Sequence, residues 1–288
     1  IVPIVKHYEY CENIFNDLKL KINEPINDFY NTKATVVFNA VEQSGIRINR
    51  DEFKSHFYDE RSEYVYTQYN FKTLTTRPAN KFNGINYAAL NKDNGCRKSF
   101  IPRNDKFIEL DIGAYHPTLL GLLVGYDFGE EDIHKAFAKM YGVDYQKSKE
   151  LTFKQLYGGV FEQFKDLEFF QRVKIYVDDL WQRFNEDGYI ECPISKHLYK
   201  KDKLDDMKPQ KLLNYVLQNL ETAMNVRILW DIFKSLKNRK TKLVLYTYDS
   251  FLFDFDESEV GLIEEIKQVI KNYKLQIKES YGSNYDFR

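Results

Sequence analysis

The sequence predicts an α+β fold, in which an antiparallel sheet packs against amphipathic helices. Strand-like apolar segments occur at 107–112, 242–255 and 275–281, and segments with helical spacing of apolar residues lie between them. The chain has 288 residues, of which 43% are hydrophobic and 30% charged. A packed core is therefore expected, and disorder is not.

The first hundred residues are predicted to combine helices with irregular chain. The predicted elements are helices at 8–20 and 31–42, a short extended turn at 46–49, a tyrosine-rich stretch without a clear period at 61–72 and a polar loop at 73–94. Ser44 and Gly45 end the second helix, because glycine rarely continues one.

The later elements alternate between the strand segments and longer helices. Pro117 suits the first turn of a helix that runs to about Val124. Further helices are predicted at 130–141, 145–157, 161–187, 211–237 and 257–273. The segment 242–255 is interrupted at 247–250, which predicts a hairpin with its turn near Tyr248 and Asp249.

Composition argues against some classes of protein. The longest apolar run, 119–126, is far shorter than the roughly 18 residues of a membrane span. The chain begins at Ile1 without a charged-then-apolar leader, so we expect a fragment without a signal peptide. The net charge of −1 counts mildly against nucleic-acid binding, although basic rims can offset an acidic pocket. The separated Cys11, Cys96 and Cys192 predict reduced structural thiols.

Two aspartates at strand ends are the main candidates for a catalytic site. Asp111 and Asp249 each end an apolar segment, where a buried carboxylate is costly unless it is paired or binds metal. Each alone is equally typical of a capping or turn residue, but together they favour a site for two hard divalent cations. Asp254 should face the other side of its strand. Glu109 shares the face of Asp111, as an accessory ligand or as a strand-surface charge.

One predicted helix carries a lysine and two aromatic residues on a single face. Lys149, Phe153 and Tyr157 are spaced i, i+4, i+8, and Gly158 follows. A lysine there suits phosphates and an aromatic ring suits a base. The alternative is an amphipathic helix with aromatics in the core and lysine at the surface. His134 begins the preceding helix, where it either suits a phosphate or lies on the surface.

In this order, the motifs resemble those of family A DNA polymerases, in particular a thumb-poor phage branch, from about Thr67 to Tyr285. The matching segments are Thr75-Thr76-Arg77-Pro78 with Asn83 and Asn86, Arg97-Lys98-Ser99-Phe100, Glu109-Leu110-Asp111, Asp132-Ile133-His134, Lys149 to Gly158, Asn214 with Gln218, Tyr248-Asp249-Ser250 and Gly282-Ser283-Asn284-Tyr285. The resemblance rests on their order and spacing together.

The resemblance implies a right-hand polymerase fold with a palm of antiparallel sheet and helices, helical fingers and a reduced or absent thumb. The implied domains are an N-terminal helical region with a thumb remnant (1–66), a first part of the palm (67–118), the fingers (119–208) and a second part of the palm (209–288). Barely a couple of dozen residues separate Ile48 from Thr75, where the family's long helical thumb would lie.

The resemblance also implies roles for single residues. It implies that Asp111 and Asp249 are catalytic and bind two Mg²⁺ ions, for which Mn²⁺ can substitute. Ile112 is implied as a further metal contact. The implied nucleotide contacts are His116, His134, Lys149, Phe153, Tyr157 and Gly158. The implied DNA contacts are Arg77, Asn83, Asn86, Arg97, Asn214, Gln218 and Tyr248.

Some positions depart from the family pattern. His116 stands where the family usually has a glutamate that crowds the 2′ position of the sugar, and Tyr145 stands in place of an arginine one turn before Lys149. Tyr248 and Ser250 replace a histidine and a glutamate. The tripeptide 249–251 also resembles the Asp-Ser-Phe of single-subunit phage RNA polymerases.

We therefore expect a template-directed DNA polymerase that adds dNTPs to a primer 3′-OH by two-metal-ion nucleotidyl transfer. A single-subunit RNA polymerase-like enzyme and a catalytically weak, template-binding subunit stay open as alternatives. The expected partners are primer-template DNA, dNTPs and, because the thumb is short, a processivity factor and a separate exonuclease. No membrane contact is expected, and the expected compartment is the cytoplasm of an infected bacterial host.

Overall fold

The computed structural model describes residues 32–71, 73–80, 84–129 and 131–287. The predicted helix at 8–20, Cys11 and Asn83 lie outside the described residues. The helices of the described part are α1 (Ala34–Ser44), α2 (Arg50–His56), α3 (Tyr115–Val124), α4 (Ile133–Tyr141), α5 (Tyr145–Gly158), α6 (Glu168–Glu186), α7 (Pro209–Ser235) and α8 (Leu262–Lys271). The strands are β1 (Ile46–Ile48), β2 (Tyr64–Val65), β3 (Tyr69–Asn70), β4 (Ala79–Asn80), β5 (Phe100–Ile101), β6 (Lys106–Gly113), β7 (Tyr189–Glu191), β8 (Leu198–Lys200), β9 (Lys242–Thr247), β10 (Ser250–Phe255) and β11 (Gln276–Gly282).

A four-stranded antiparallel sheet in the order β11-β6-β10-β9 forms the centre of the fold. In the pairing of its inner strands, Asp111 of β6 lies opposite Ser250 of β10. On the other side of β6, Asp111 lies opposite Lys278 of β11. This sheet and its helices confirm the predicted α+β class, and they place distant segments of the chain side by side.

The apolar character of the inner strands explains their central position. All six residues of β10 are buried, and Ile108, Leu110 and Ile112 of β6 belong to the larger core. Because side chains alternate between the faces of a strand, Phe107 and Asp111 lie on the opposite face, where Phe107 joins a smaller core. The side chain of Asp111 therefore lies on the face of the sheet that points away from the larger core.

Two tight backbone turns lie at the end of the sheet that carries Asp111. The β9–β10 hairpin turns through Tyr248 and Asp249, as predicted, and Tyr248 takes the left-handed conformation with φ 57°. The amide of Ile112 donates to the carbonyl of Asp249 at 2.8 Å, which joins this turn to β6. After β6, Ala114 is also left-handed, with φ 49° and ψ 41°, and α3 begins at once. His116 consequently lies in the first turn of α3.

Helices cover one face of the sheet, and short strands with one helix cover the other. The larger core takes apolar residues from α1, α3, α4, α5, α6, α7 and α8 as well as from the sheet. The smaller core takes them from β1, β2, β5 and α2. Helix α7 runs through the larger core, and it also buries four polar residues: Asn219, Glu221, Thr222 and Asn225. Buried polar groups need partners, so α7 must meet polar side chains of other elements.

Within the described residues the predicted helices are present, and the differences from their predicted boundaries have local causes. The helix expected at 161–187 is divided, because Glu162–Phe164 forms a 3₁₀ turn and α6 begins only at Glu168. The helix expected from 257 begins at Leu262, after a turn closed by the bond from the Glu259 amide to the carbonyl of Asp256 at 3.0 Å. The sequence analysis missed α2 and the β7–β8 hairpin, since elements this short show no reliable period.

Other predictions about the whole chain can be compared with the described ranges. Every helix within those ranges is too short or too polar to cross a bilayer. Cys96 and Cys192 are buried and free, as expected. The segment from Ile48 to Thr75, described apart from residue 72, contains α2, β2 and β3. The predicted extended turn at 46–49 is the strand β1.

Candidate active site

The sheet brings Asp111 and Asp249, called the carboxylate pair below, close together. Asp249 directly precedes Ser250, the residue opposite Asp111. Burial, the charge of Asp249 and the charge of Glu109 raise the pKa of Asp111 to about 7. Burial and the charge of Glu221 raise the pKa of Asp249, although Arg77 acts in the opposite direction. The ionised form of both carboxyls is therefore disfavoured in these surroundings, and a bound cation would stabilise it.

The carboxylate pair fits magnesium by the chemistry of its donors. Carboxylate oxygens are the ligands that Mg²⁺ prefers, and this ion is usually held by one or two carboxylates together with waters and substrate phosphates. Among the residues that the structure describes, no three or more His, Cys, Asp or Glu side chains gather into a metal cluster. The side chain of Ile112 lies in the larger core, so only its backbone can face a metal. The pair thus suits a cation that arrives with a phosphate-bearing substrate.

The neighbours of Asp111 include one lysine that the sequence analysis missed. Glu109 is held in place because its Oε1 accepts a hydrogen bond from Ser250 Oγ at 2.6 Å. Lys278 lies opposite Asp111 in the strand pairing. Its charge partly offsets the rise in pKa that burial causes in both Asp111 and Tyr145. Lys278 therefore lies near both the carboxylate pair and the first turn of α5.

Asp254, the rival of Asp249 in the sequence, has a structural role. It is buried, and its two oxygens accept hydrogen bonds from the backbone amides of Arg103 and Asn104, both at 2.8 Å. These bonds hold the loop that leads into β6. Asp254 is thus committed to backbone donors, in contrast to the carboxylate pair.

The α5 face, defined as Tyr145, Lys149, Phe153 and Tyr157, lines one side of its helix, as the spacing predicted. Lys149 Nζ lies 4.5 Å from the ring centroid of Tyr145, and the rings of Phe153 and Tyr157 stack with centroids 6.1 Å apart. Phe153 is 47% exposed, so the alternative that both aromatics lie in the core is wrong for this residue. Gly158 is the last residue of α5. The helix presents a cation and exposed aromatic surface side by side.

His134 meets the α5 face from the first turn of α4. Its ring centroid lies 6.0 Å from that of Tyr145 and 6.4 Å from that of Phe153. The residue is buried, and its Nδ1 has no hydrogen-bond partner among the described residues. The surface alternative for His134 is therefore wrong. Burial and the charge of Lys149 lower its pKa, so the ring is neutral near pH 7 and offers an unpartnered nitrogen beside a lysine.

A buried network centred on Glu221 of α7 reaches both the α5 face and the sheet. The side chain of Glu221 is 2% exposed. Its Oε1 accepts from Arg77 Nε at 3.0 Å and Nη2 at 2.8 Å, and its Oε2 lies 2.7 Å from His116 Nε2. The other ring nitrogen of His116 is hydrogen-bonded to the hydroxyl of Tyr157. We call Arg77, Glu221, His116 and Tyr157 the Glu221 network.

Arg77 links this network to the turn that carries Asp249. Its guanidinium carbon lies 3.9 Å from the ring centroid of Tyr248, the residue before Asp249. Burial opposes the charge of Arg77, but the charge and hydrogen bonds of Glu221 outweigh it, so the pKa of Arg77 is raised. The predicted DNA contacts Arg77 and Tyr248 therefore lie against each other, and two guanidinium nitrogens already bond to Glu221.

A polar stripe on α7 contacts the Thr75–Pro78 loop. Gln218 Oε1 accepts from Thr75 Oγ1 at 3.1 Å, and Gln218 Nε2 donates to Asn214 Oδ1 at 3.0 Å. Farther along, Asn225 donates to the carbonyl of Tyr248 at 2.6 Å. The sequence analysis named Asn214 and Gln218 but missed Glu221 and Asn225. Polar residues recur at 214, 218, 221 and 225, but they also occur at 219, 222, 227 and 231, so the period alone does not single out Glu221 or Asn225.

The structure places the two remaining DNA candidates near the smaller core. The guanidinium of Arg97 lies 4.8 Å from the ring centroid of Tyr285, and its Nε is buried without a partner among the described residues. The pKa of Tyr285 is raised by burial and then by the charges of Glu109 and Asp111, so Arg97 approaches the sheet face of the carboxylate pair. Asn86 begins a 3₁₀ turn at Tyr87–Ala89, and its described contacts do not join it to the pair.

The antiparallel sheet and the helices packed against it form a fold that is also found in a solved polymerase domain. A solved structure with this fold is the POL domain of Pol1 from M. smegmatis, in complex with DNA primer-template and dNTP, at a TM-score of 0.63 and 16% sequence identity. The similarity covers 82% of this chain and 50% of that one, so this chain spans about half of the solved chain's length. At this identity the likeness concerns the fold. No protein-family model and no curated protein matches the sequence.

Proposed function

We propose that this chain is the catalytic core of a template-directed DNA polymerase, which adds dNTPs to a primer 3′-OH. The proposal rests mainly on one observation: Asp111 and Asp249, 138 positions apart in the sequence, meet at one end of the sheet with their pKa values raised. The fold likeness to a POL domain solved with primer-template and dNTP supports it.

In this proposal, Asp111 and Asp249 hold two Mg²⁺ ions, with Mn²⁺ as a substitute. Bound there, the metal would activate the primer hydroxyl and neutralise charge on the triphosphate. The protein contributes the position of the two carboxylates, which the sheet fixes through the bond between Ile112 and Asp249. Lys278, opposite Asp111, adds positive charge at the same end of the sheet.

The α5 face and His134 supply the nucleotide side of the proposed site. Lys149 offers a cation for the triphosphate, and the unpartnered Nδ1 of His134 offers a hydrogen bond to it. Phe153 and Tyr157 offer aromatic surface on which a base can stack. Their helix belongs to the proposed fingers (119–208), which would close over a matched base pair and so gain selectivity.

The Thr75–Pro78 loop and α7 supply the proposed DNA side. Arg77, Asn214 and Gln218 lie together on this surface, with Tyr248 beside Arg77. Minor-groove acceptors are shared among base pairs, so contacts of this kind report the shape of the duplex rather than its sequence. Both parts of the proposed palm (67–118 and 209–288) contribute to it.

Primer extension with Asp249→Ala is the experiment that tests the proposed function. We expect the wild-type chain to extend a primed template in the presence of Mg²⁺ and the variant to lose this activity. Asp254→Asn is the matched control, because Asp254 is a buried carboxylate on the same hairpin that binds only backbone amides. Undiminished synthesis by Asp249→Ala would contradict the proposal.

RNA synthesis is the second candidate function, and two features favour it. Asp249-Ser250-Phe251 resembles the motif of single-subunit RNA polymerases, and His116 replaces the glutamate expected near the sugar. Comparing dNTP with NTP incorporation on one primed template decides between the two. A strong preference for NTPs would overturn the DNA polymerase proposal. Tight primer-template binding without Mg²⁺-dependent turnover would instead favour a template-binding subunit.

We also propose that synthesis by the chain alone is distributive. The segment from Ile48 to Thr75 offers little protein to wrap a duplex, so a processivity factor and a separate exonuclease are proposed as partners. Short products that lengthen when a clamp-like factor is added would support this. Long products from the isolated chain would contradict it.

A further inference from the structure

We propose that Glu221 is a positioning residue, which orients His116 and through it fixes the hydroxyl of Tyr157 at the end of α5. This inference rests on the proposed polymerase function and extends it, because it explains how the nucleotide-facing helix is held in position relative to the carboxylate pair.

Both ring nitrogens of His116 are engaged in the Glu221 network. A guanidinium only donates and a carboxylate only accepts, so Arg77 donates to Glu221, and His116 donates to Glu221 through Nε2. The other ring nitrogen, Nδ1, is hydrogen-bonded to the hydroxyl of Tyr157. Glu221 thus fixes the orientation of the imidazole, and the imidazole fixes the position of the Tyr157 hydroxyl.

Glu221 lies where four other segments of the chain meet. It bonds directly to Arg77 of the Thr75–Pro78 loop and to His116 at the start of α3, and His116 bonds to Tyr157 at the end of α5. The charge of Glu221 also acts on Asp249 in the β9–β10 turn. An ordinary structural ion pair would require Arg77 alone. The additional bond to His116, and the bond from His116 to Tyr157, extend the network to the proposed nucleotide surface.

The consequence for the nucleotide follows from the contact between Tyr157 and Phe153. Their rings are stacked, so a change in the orientation of Tyr157 also changes the aromatic surface offered to a base. Loss of Glu221 should therefore weaken productive nucleotide binding. It should do so by the same route as loss of the Tyr157 hydroxyl.

A double-mutant cycle tests this route. Primer extension on one template gives kcat and KM for dNTP in the wild type, Glu221→Gln, Tyr157→Phe and the double variant, and thermal melting checks that each variant is folded. We expect each single variant to lower kcat/KM by about tenfold, mainly through KM, as for the loss of one hydrogen bond to a charged group. The double variant should lie within about twofold of the worse single variant, because the two changes break one chain of bonds.

Asp254→Asn changes a buried carboxylate outside the network and should keep the KM of the wild type. Wild-type kcat/KM in Glu221→Gln, or losses that multiply in the double variant, would overturn the proposal. If Glu221→Gln does not fold, His116→Phe replaces it in the cycle, since it keeps a flat ring and removes both nitrogens. Multiplied losses with Tyr157→Phe would again overturn the proposal.

Amide hydrogen exchange separates this inference from the proposed function. Exchange at 154–159, the end of α5, should be faster in Glu221→Gln than in the wild type, relative to exchange in α8. Asp254→Asn should leave this ratio unchanged. An unchanged ratio in Glu221→Gln would overturn the positioning role even if the wild type is an active polymerase. Absence of synthesis by the wild type would contradict the proposed function alone.

Discussion

The carboxylate pair and the α5 face are held in place by different kinds of interaction. Asp111 and Asp249 are fixed by the pairing of inner strands and by a backbone hydrogen bond between their segments. The α5 face belongs to one helix, which is joined to its surroundings by apolar contacts and a few side-chain bonds. These include the hydrogen bond from the Ser148 hydroxyl to the carbonyl of His134 at 2.7 Å and the hydrogen bond between Tyr157 and His116.

This difference contrasts a charged site built into a sheet with a helix that is held by side-chain packing. The end of α5 is held by buried residues as well as by side-chain bonds, since Gln155 and Leu156 are 2% exposed. Carboxylates within the sheet also differ, because Asp254 is satisfied by two backbone amides, whereas burial and neighbouring carboxylates raise the pKa of Asp111.

The largest expected effect is that of Asp111→Asn. It should lower primer extension by about 1000-fold or more, equivalent to roughly 4 kcal/mol of transition-state stabilisation. Its melting temperature in a metal chelator should not fall. Because the pKa of Asp111 is raised on folding, the ionised carboxylate opposes folding near neutral pH, and the amide removes that charge. Primer extension and thermal melting measure both effects.

Asp254→Asn, on the same sheet, should have the opposite effect: lower stability with activity retained. Its amide would keep one oxygen as the acceptor for one of the two backbone amides of Arg103 and Asn104, but it would turn N–H groups toward the other, so it should destabilise the fold by about 1–3 kcal/mol. Activity should persist below the melting temperature. A stable, inactive Asp254→Asn, or an unstable Asp111→Asn, would remove the proposed distinction between functional and structural carboxylates.

The next largest effect on activity is expected for a substitution on the α5 face. Lys149→Ala should raise KM for dNTP by about tenfold, because a charge-assisted bond to phosphate is lost. Steady-state extension at varied dNTP measures this. Lys154→Ala is the matched control on the same helix, since Lys154 pairs with Glu150 instead. Equal effects of the two variants would mean that α5 contributes only general positive charge.

Salt should separate DNA binding from folding. Release of counterions from phosphates should weaken primer-template binding by about tenfold or more between 50 and 200 mM salt. The melting temperature should change little, because the Glu221 network is buried and weakly screened. Titrations of labelled primer-template and melting curves at matched salt provide the comparison. Binding that is insensitive to salt would contradict the proposed DNA surface.

The smallest expected effect is that of Lys278→Ala. Lys278 is exposed, so its charge should change kcat/KM by only about threefold, the range for an exposed charge pair. Lys267→Ala is the control, because Lys267 pairs with Glu264 and with Glu279, the neighbour of Lys278. A large loss in Lys278→Ala would place this lysine among the main ligands of the triphosphate.

The features that could be predicted from the sequence are those determined by local pattern. Asp111 and Asp249 each end an apolar segment, and the α5 face repeats every fourth residue, so both could be found without knowing the tertiary fold. Asp254 was set aside because side chains alternate along a strand, but the register places it opposite Phe107, on the same face as Asp111. Its position near the other end of β10 and its bonds to two backbone amides separate it from the carboxylate pair. The α+β class followed from the same patterns.

The residues that were missed depend on contacts between distant segments. Glu221 lies on a helix that is buried on several sides, so its burial cannot be separated from that of its apolar neighbours by period alone. Lys278 lies near Asp111 because β11 pairs with β6. Arg77 and Glu221 are 144 residues apart in the sequence, so their ion pair could not be predicted without the tertiary fold.

Ala114 sets the rotational phase of α3 relative to the sheet. Ala114 is the one residue between the end of β6 and the start of α3. The spacing from Asp111 to His116 is therefore fixed. Inserting one residue after Ala114 would turn His116 by about 100° around the axis of α3. The imidazole would then swing away from both Glu221 and Tyr157 while the two acidic groups stayed where they are. This one residue of backbone thus fixes the geometry between the strand that carries Asp111 and the end of α5.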